Sequence, residues 1–252
     1  MIYILLPAYN EEEGLPKVLP AIRDVAQSLH DPLRVVVVDD GSRDRTSEVA
    51  RTFAGVLDLK LFAFEHNRGV GEVFKTGFRF VVEDSREPET DICIVLDSDN
   101  TQDPRVMPEM VARIRGGDDI VVASRFEGHG KMIGCPRLRG FLSICVSYLM
   151  RVWVRLPQVK DYSTFYKAYR VSVLKRGFQM YGDDLLSGEG FAVSCGQLVK
   201  LGNVTRRISE VPLVLRYDLK GGRSGMRLMK TIRGYLRLMW QCAATRNFRP
   251  HK

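Results

Sequence analysis

The amino-acid sequence predicts an α/β protein with a doubly wound, mainly parallel sheet that has helices on both faces. Short runs of β-branched and other apolar residues alternate with longer segments whose apolar residues recur at helical spacing. The second run, LRVVVVDDGS, is rich in β-branched residues, as strands buried on both faces are. With 252 residues, 45% of them hydrophobic and 27% charged, the chain is long enough for one such domain.

The first half of the chain holds five predicted strands with a helix after each of the first four. The predicted strands cover residues 2–7, 33–42, 59–64, 92–96 and 118–126. The predicted helices cover residues 11–29, 43–54, 69–84 and 104–117. Strands that alternate with helices in this way form a parallel sheet.

The pattern changes after Arg125, where a glycine-rich loop leads into the second half of the chain. The predicted elements there are an amphipathic helix over 137–156, a strand-like stretch over 161–170, a helix over 190–202, a late strand over 204–217 and a C-terminal amphipathic helix over 224–246. The longest apolar stretch of this half, residues 140–150, is cut by arginines at both ends. It falls short of the roughly 20 apolar residues that span a membrane, so we expect no spanning segment.

Two aspartates follow the fourth predicted strand, in the segment VLDSDNTQDP. Asp97 and Asp99 would lie at the carboxyl edge of the sheet, where α/β proteins place their ligand sites. Two hard carboxylates at a strand exit favour Mg²⁺ or Mn²⁺ shared with a substrate phosphate, and Gln102 could add a neutral oxygen. The competing interpretations are a solvated loop and an aspartyl-phosphate enzyme with Asp97 as nucleophile. The latter chemistry normally uses the first strand, and here three strand–helix units come before.

A dinucleotide-binding loop is the alternative for the segment NRGVGEVF. Gly69 and Gly71 open a helix after a strand, but Phe74 stands where the third glycine of that motif belongs. The start of the helix can still bind a phosphate without a dinucleotide.

Basic residues concentrate at the end of a chain whose net charge is +8. After Glu210 the one acidic residue is Asp218, against ten lysines and arginines. Residues 226–240 form a predicted helix with basic residues on one side and apolar residues on the other, which fits either packing on the sheet or contact with an anionic membrane surface. The aromatic residues of this tail do not form a base-stacking platform, so we expect no nucleic-acid partner. Five scattered cysteines indicate a reducing cytoplasm.

Six segments together resemble, in order and spacing, the family-2 glycosyltransferases. They are LLPAYNEEEGL, VVVVDDGSRDRT, NRGVG, VLDSDNTQDP, ASRF and DYSTFYKAYR. The likeness is closest to the dolichyl- or polyprenyl-phosphate sugar synthases of the dolichyl-phosphate mannose synthase type, and it extends over residues 2 to about 235.

The resemblance implies a GT-A fold and inverting transfer of a hexose from a GDP- or UDP-sugar to a polyprenyl phosphate. It implies that the nucleotide sugar contacts Pro7, Tyr9, Asn10, Glu11 and Asp40. It further implies that Asp97 and Asp99 bind the metal ion that carries the donor diphosphate, with Gln102 at a position that some members use for a third ligand.

The resemblance also assigns the acceptor side. Arg125, Arg139 and Ser143 match residues near the acceptor phosphate. A later phosphate-binding cation is Lys220, with Arg216 and Arg223 as alternatives. Residues 1–252 then form one domain, with a nucleotide-sugar half over 1–125 and an acceptor half over 126–252. We expect a peripheral protein on the cytoplasmic face of a membrane.

One departure from the family pattern concerns the segment DYSTFYKAYR. Phe165 stands where relatives carry a glycine, and we expect it to reshape the acceptor or sugar pocket. The alternative function is a family-2 glycosyltransferase with a soluble acceptor: a sugar, a natural product or a protein side chain. Such an enzyme needs a general base, for which the candidates are Asp161, Asp183, Asp184 and Glu189.

Overall fold

The structure, a computed structural model, describes residues 1–153, 156–188, 190, 192–220 and 234. The strands in these residues are β1 (Ile2–Ala8), β2 (Leu33–Asp39), β3 (Asp58–Ala63), β4 (Ile92–Val95), β5 (Ile120–Ser124), β6 (Lys131–Ile133), β7 (Lys167–Arg170), β8 (Ile208–Pro212) and β9 (Val214–Arg216). The helices are α1 (Leu15–Leu29), α2 (Thr46–Thr52), α3 (Val70–Asp84), α4 (Met107–Arg115), α5 (Arg137–Trp153), α6 (Val171–Tyr181) and α7 (Ala192–Val204). The predicted α/β class is confirmed.

The main sheet has the strand order β3-β2-β1-β4-β7-β5-β8. β7 runs antiparallel to both of its neighbours, and every other pair of adjacent strands is parallel. The order of the first four strands reverses between β1 and β4, so their carboxyl ends open a crevice. Ligands of α/β proteins bind in such a crevice.

Each central strand sends alternate side chains to opposite faces of the sheet, as the two-residue period of a strand requires. Tyr3 and Leu5 of β1 join the core on the face covered by α3, α6 and α7. Ile2, Ile4 and Leu6 join the core on the face covered by α1 and α4. The helices on both faces hold the sheet rigid and fix the positions of the strand ends.

The predicted late strand is in fact two strands in two sheets. β8 lies at the edge of the main sheet, and β9 pairs in parallel with β6 in a separate two-stranded sheet. The chain changes sheet at Leu213, whose N–H donates to the Ser124 carbonyl of β5 over 2.8 Å and whose own carbonyl accepts from the Lys131 N–H of β6 over 3.0 Å. This turn carries residues 214–220 back over the crevice.

In the part of the chain that the structure describes, every helix is too short or too polar to cross a bilayer. The predicted C-terminal helix over 224–246 lies outside the described residues.

Candidate active site

Two carboxylates occupy residues 96–103, the loop that follows β4, which we call the carboxylate loop. Polar groups of the same loop hydrogen-bond to each carboxylate. The Gln102 side chain donates from Nε2 to Asp97 Oδ2 over 2.6 Å, and its carbonyl oxygen accepts from the Asp97 N–H over 3.0 Å. Thr101 donates to Asp99 Oδ1 from its backbone N–H and its hydroxyl. Gln102 therefore orients Asp97 in this structure, and its direct contact with a metal stays a prediction.

Lys220 reaches the same carboxylates from the far end of the described chain. Its ammonium contacts Asp99 Oδ2. The Arg216 N–H donates to the Thr101 carbonyl over 2.8 Å and so anchors the segment that carries Lys220. Of the three cations considered from the sequence, Lys220 is in the site, the Arg216 side chain pairs with Asp218, and Arg223 lies outside the described residues.

Negative charge is crowded at this edge of the sheet. Burial and the neighbouring Asp99 raise the pKa of Asp97 to about 7, although Lys220, Lys167 and Arg125 oppose the shift. Burial and the same Asp99 raise the pKa of Glu11, which follows β1, to about 8. Carboxyl groups with raised pKa values are destabilised as anions, and a bound cation would relieve that repulsion.

The other residues that are predicted to contact the nucleotide sugar lie at the carboxyl ends of β1 and β2. The Pro7 carbonyl accepts from Ser98 over 2.9 Å, which joins β1 to the carboxylate loop. Asn10 has a left-handed backbone with φ of 56° and accepts from the Arg43 N–H, so it ties the β1 exit to the β2 exit. Tyr9 is exposed beside it.

Asp40 is engaged with the loop that precedes α3. Its carboxylate accepts from the N–H groups of Arg68 and Gly69 and from the side chain of Asn67. Burial raises its pKa, and these bonds oppose the shift. The carboxylate thus shapes the loop, and its contact with a nucleotide base stays a prediction. Sequence reasoning missed Asn67, which the quoted segment NRGVG contains.

A second polar cluster lies after β5. Arg125 makes a two-pronged pair with Asp161, with both N–O distances at 2.7 Å, and also donates to the Ser163 hydroxyl over 2.6 Å. The Ser143 and Ser163 hydroxyls are 2.9 Å apart. Burial opposes ionisation of Asp161, but the pairing with Arg125 lowers its pKa below the usual value. We call Arg125, Ser143, Asp161 and Ser163 the acceptor cluster, after the expectation that Arg125 and Ser143 lie near an acceptor phosphate.

The structure thus brings Arg125 and Ser143 together as predicted, through Ser163, which the sequence did not single out. The backbone of Arg139 lies in α5 one turn before Ser143, and its side chain is outside the described part. Asp161, considered from the sequence as a general base, is fully buried against Arg125.

Phe165 does not enter the crevice. It is 6% exposed and packs in the core against Phe74 of α3, with ring centroids 5.2 Å apart. The expectation that Phe165 reshapes the acceptor or sugar pocket stays a prediction. The ring fills the space between β7 and α3 beside Phe74, which stands where the dinucleotide-binding motif has its third glycine.

This mixed sheet, with two aspartates after β4 and an antiparallel β7 beside it, is that of the GT-A glycosyltransferases. The chain belongs to glycosyl transferase family 2, whose sequence profile matches residues 3–178. The family expected from the motifs is therefore confirmed, and the chain is a glycosyltransferase.

The names of two curated relatives contain a lipid phosphate. The chain is 29% identical over 160 residues to the dolichol-phosphate mannosyltransferase of Pyrococcus furiosus, a match that covers 64% of this chain and 42% of that protein. It is 27% identical over 248 residues to the undecaprenyl-phosphate mannosyltransferase of Micrococcus luteus, covering 95% of this chain and 96% of that one. The chain therefore spans less than half of the first relative and nearly all of the second.

Solved structures share the fold. The glucosyl-3-phosphoglycerate synthase from Mycobacterium tuberculosis, in complex with Mn²⁺, UDP and glucosyl-3-phosphoglycerate, has a TM-score of 0.68 at 20% identity and covers 97% of this chain and 80% of that chain. S. aureus TarS 1-349 in complex with UDP-GlcNAc has a TM-score of 0.62 at 18% identity, with 97% and 66% covered. At these identities the likeness establishes the architecture.

Proposed function

We propose that this glycosyltransferase moves a hexose, with inversion at the anomeric carbon, from a GDP- or UDP-sugar to a polyprenyl phosphate. The observation that carries the proposal is the pairing of two unlike sites at the crevice. Asp97 and Asp99 suit a metal-bound diphosphate, and the acceptor cluster offers a cation and hydroxyls for an anionic acceptor. The names of the two curated relatives support the same acceptor class.

The carboxylate loop fits a divalent metal ion. In the described residues there is no cluster of three or more histidine, cysteine, aspartate or glutamate side chains that could hold a metal alone. Asp97 and Asp99 would therefore hold Mg²⁺ or Mn²⁺ together with donor phosphate oxygens, as hard cations with few protein ligands do. The bound metal would neutralise charge on the leaving diphosphate. Lys220, which contacts Asp99, would add a second cation at that diphosphate.

The nucleoside of the donor would bind between the exits of β1 and β2. We assign this contact to Pro7, Tyr9, Asn10, Glu11 and Asp40, as the family resemblance implies. The hydrogen bond between Asn10 and the Arg43 N–H supports this assignment, because it fixes the two strand exits at a constant separation. A bound nucleoside would then meet a preformed surface.

The acceptor needs no general base. A phosphate monoester is already ionised at neutral pH, so the protein has to position it and stabilise its charge. Arg125 suits this task because a guanidinium pairs phosphate oxygens with fixed geometry. Ser143 and Ser163 add hydroxyl donors, and we assign Arg139 to the same phosphate.

The exposed face of α5 supports a lipid acceptor. Phe141, Ile144 and Tyr148 are 63%, 50% and 69% exposed, and they follow one another at helical spacing on the helix that also carries Ser143. An apolar helix face rarely stays in water unless it binds something. A bilayer surface there would place a lipid phosphate at the depth of Ser143, so we propose peripheral membrane binding on the cytoplasmic face.

These assignments divide the work along the chain. We propose that residues 1–125 hold the nucleotide sugar and that residues 126–252 hold the acceptor and the membrane-facing helices. The place of β7, which belongs to the second part, between β4 and β5 of the first supports the proposal that both parts form one domain.

A donor and acceptor screen tests the function. Purified protein is incubated with GDP- and UDP-hexoses and Mn²⁺ or Mg²⁺, with or without a polyprenyl monophosphate, and the product masses are read. We expect a lipid phosphate heavier by one hexose residue, and no product from the matched unphosphorylated polyprenol, because a neutral hydroxyl needs a general base. Hexose transfer to soluble acceptors alone would replace the proposal with the soluble-acceptor alternative.

A further inference from the structure

The first residue of β7 is a lysine whose side chain is fully buried. Lys167 is 0% exposed, and its ammonium donates to the Thr164 carbonyl oxygen and to the Ser194 hydroxyl. The same hydroxyl donates to the Thr164 carbonyl over 3.0 Å. Burying an ammonium among neutral groups is strongly unfavourable unless an opposite charge lies near. The position of Lys167 therefore needs an electrostatic explanation.

The opposite charges are Asp161, which opens the loop that ends at Lys167, and to a lesser degree Asp97. Burial lowers the pKa of Lys167 to about 8, and the Asp161 carboxylate opposes the shift more strongly than Asp97 does. Asp161 in turn holds Arg125. Three charges therefore alternate through the interior: Lys167 positive, Asp161 negative and Arg125 positive.

These three charges contribute to what the acceptor cluster can bind, together with the buried Glu210 carboxylate, which accepts from the Asp161 N–H over 2.9 Å. Arg125 and Asp161 alone form a neutral pair, which attracts an anion weakly. The ammonium of Lys167 gives the three side chains a net charge of one positive unit. Lys167 also holds the Thr164 carbonyl and thereby the loop that presents Ser163 to Arg125.

We propose that Lys167 is a positioning residue for the anionic acceptor, acting through Asp161 and the 161–166 loop and not by contact with the substrate. This inference rests on the proposed transfer to a lipid phosphate. It adds that the phosphate is held by a buried charge behind the site as well as by the residues that touch it.

The test separates acceptor from donor kinetics in three variants. Lys167→Met keeps the length of the side chain and removes its charge, Lys167→Arg keeps the charge, and Lys175→Met removes one charge from the exposed side of α6 as the matched control. We expect Lys167→Met to raise the KM for a short-chain isoprenyl monophosphate about tenfold or more and to raise the KM for the nucleotide sugar several-fold less, since Lys167 also favours the anionic form of Asp97. Lys167→Arg should recover most of the loss, and Lys175→Met should match the wild type.

Binding of the same isoprenyl monophosphate, measured by calorimetry on the folded protein with Mn²⁺, gives a readout without turnover. If Lys167→Met does not fold, Ser194→Ala takes its place and should weaken acceptor binding several-fold with unchanged donor binding. An unchanged acceptor constant, or equal losses for donor and acceptor, would overturn the inference and leave the proposed function standing. A wild-type protein that binds no phosphate monoester would overturn both.

Discussion

At the residue scale, the site depends on side chains that hold one another before any substrate arrives. The sequence identified Asp97 and Asp99 because they follow an apolar strand. It did not show that the Gln102 amide grips both the backbone and the carboxylate of Asp97. It left Lys220 as one of three candidates, because a contact between residues 121 positions apart depends on how the whole chain folds.

We expect Asp97→Asn and Asp99→Asn each to lower kcat/KM by about 100-fold or more, since even the residues that support metal ligands are worth about 10- to 100-fold. Gln102→Met should lower kcat/KM by about 10- to 100-fold, because it removes the hydrogen bonds that orient Asp97 but leaves both carboxylates in place. Steady-state rates over a Mn²⁺ titration measure all three.

The matched control for these variants is Asp24→Asn, which alters an exposed carboxylate on α1 and should match the wild type. Full turnover in excess EDTA would show that the two aspartates do not act through a metal ion.

At the element scale, the approach of α1 to the carboxylate loop is close enough to demand a glycine. A Cβ added at Gly14 would lie 2.2 Å from the Ser98 carbonyl oxygen and 2.7 Å from Glu11 Oε2. Both obstacles belong to the crevice, so the start of α1 and the loop after β4 are packed as one unit.

Gly14→Ala should therefore push the carboxylate loop aside. We expect kcat to fall by about 100-fold, because displacements near 1 Å have that effect in active sites, and the free energy of unfolding to fall by about 1–3 kcal/mol. Gly55→Ala is the control, since a Cβ there meets no atom within 4 Å. Activity and a urea titration are measured together. Wild-type activity in Gly14→Ala would mean that the loop position is not critical.

A buried carboxylate ties together three strands at the other end of the sheet. Asp119, which precedes β5, accepts from Arg170 of β7 and from Arg207 and Thr205 before β8. Burial raises the pKa of Asp119, but the hydrogen bonds from these three residues have the larger combined effect and lower the pKa below its usual value. At pH 7 Asp119→Asn should reduce the free energy of unfolding by about 3 kcal/mol, since it leaves Arg170 without its charged partner. Asp24→Asn, in a surface pair, should change it by less than about 0.5 kcal/mol.

The sign of the pH dependence follows from the lowered pKa. The stabilisation by Asp119 is fully present above its unfolded pKa of about 3.9 and disappears as the pH falls through the lower folded value. The stability difference between wild type and Asp119→Asn should therefore be constant from pH 7 to about pH 5 and shrink below about pH 4. Urea titrations across this range measure it. A difference that grows on acidification would contradict the assignment.

The predictability of the elements follows their hydrophobic pattern. β1 to β5 were predicted because their apolar runs are long. The antiparallel position of β7 was not predicted, because a four-residue strand that contains Lys167 and Arg170 has no clear pattern and its partners are set by long-range pairing. The single strand predicted over 204–217 is divided because the chain exchanges β5 for β6 as its partner at Leu213, a long-range pairing that the local pattern does not show.

At the scale of the whole molecule, the apolar face of α5 and the basic end of the chain point to one surface partner. Phe141→Ser with Tyr148→Ser should weaken co-sedimentation with anionic liposomes at least about tenfold, since burial of one large apolar side chain is worth about 1.5–3 kcal/mol. Lys230→Glu with Arg237→Glu should weaken it as well and make it less sensitive to salt, at about 1 kcal/mol for each charge.

Val56→Ser with Met180→Ser is the matched control, because these side chains are exposed to a similar degree away from α5. Equal binding of all variants to neutral and anionic vesicles, or to neither, would remove the membrane role and favour a soluble acceptor.

The place of β7 in the sheet also governs how the chain can fold during its synthesis. β4 is paired on one side by β1, but its other side waits for residues 167–170, which leave the ribosome more than 70 positions later. Until then β4 is an open edge. β5 has no neighbour in the sheet either, because both of its partners, β7 and β8, follow it in the chain. Open edges invite pairing with other chains. A truncated chain of residues 1–125 would therefore be prone to aggregation, and the two aspartates after β4 become part of a stable protein only when the second half of the chain arrives.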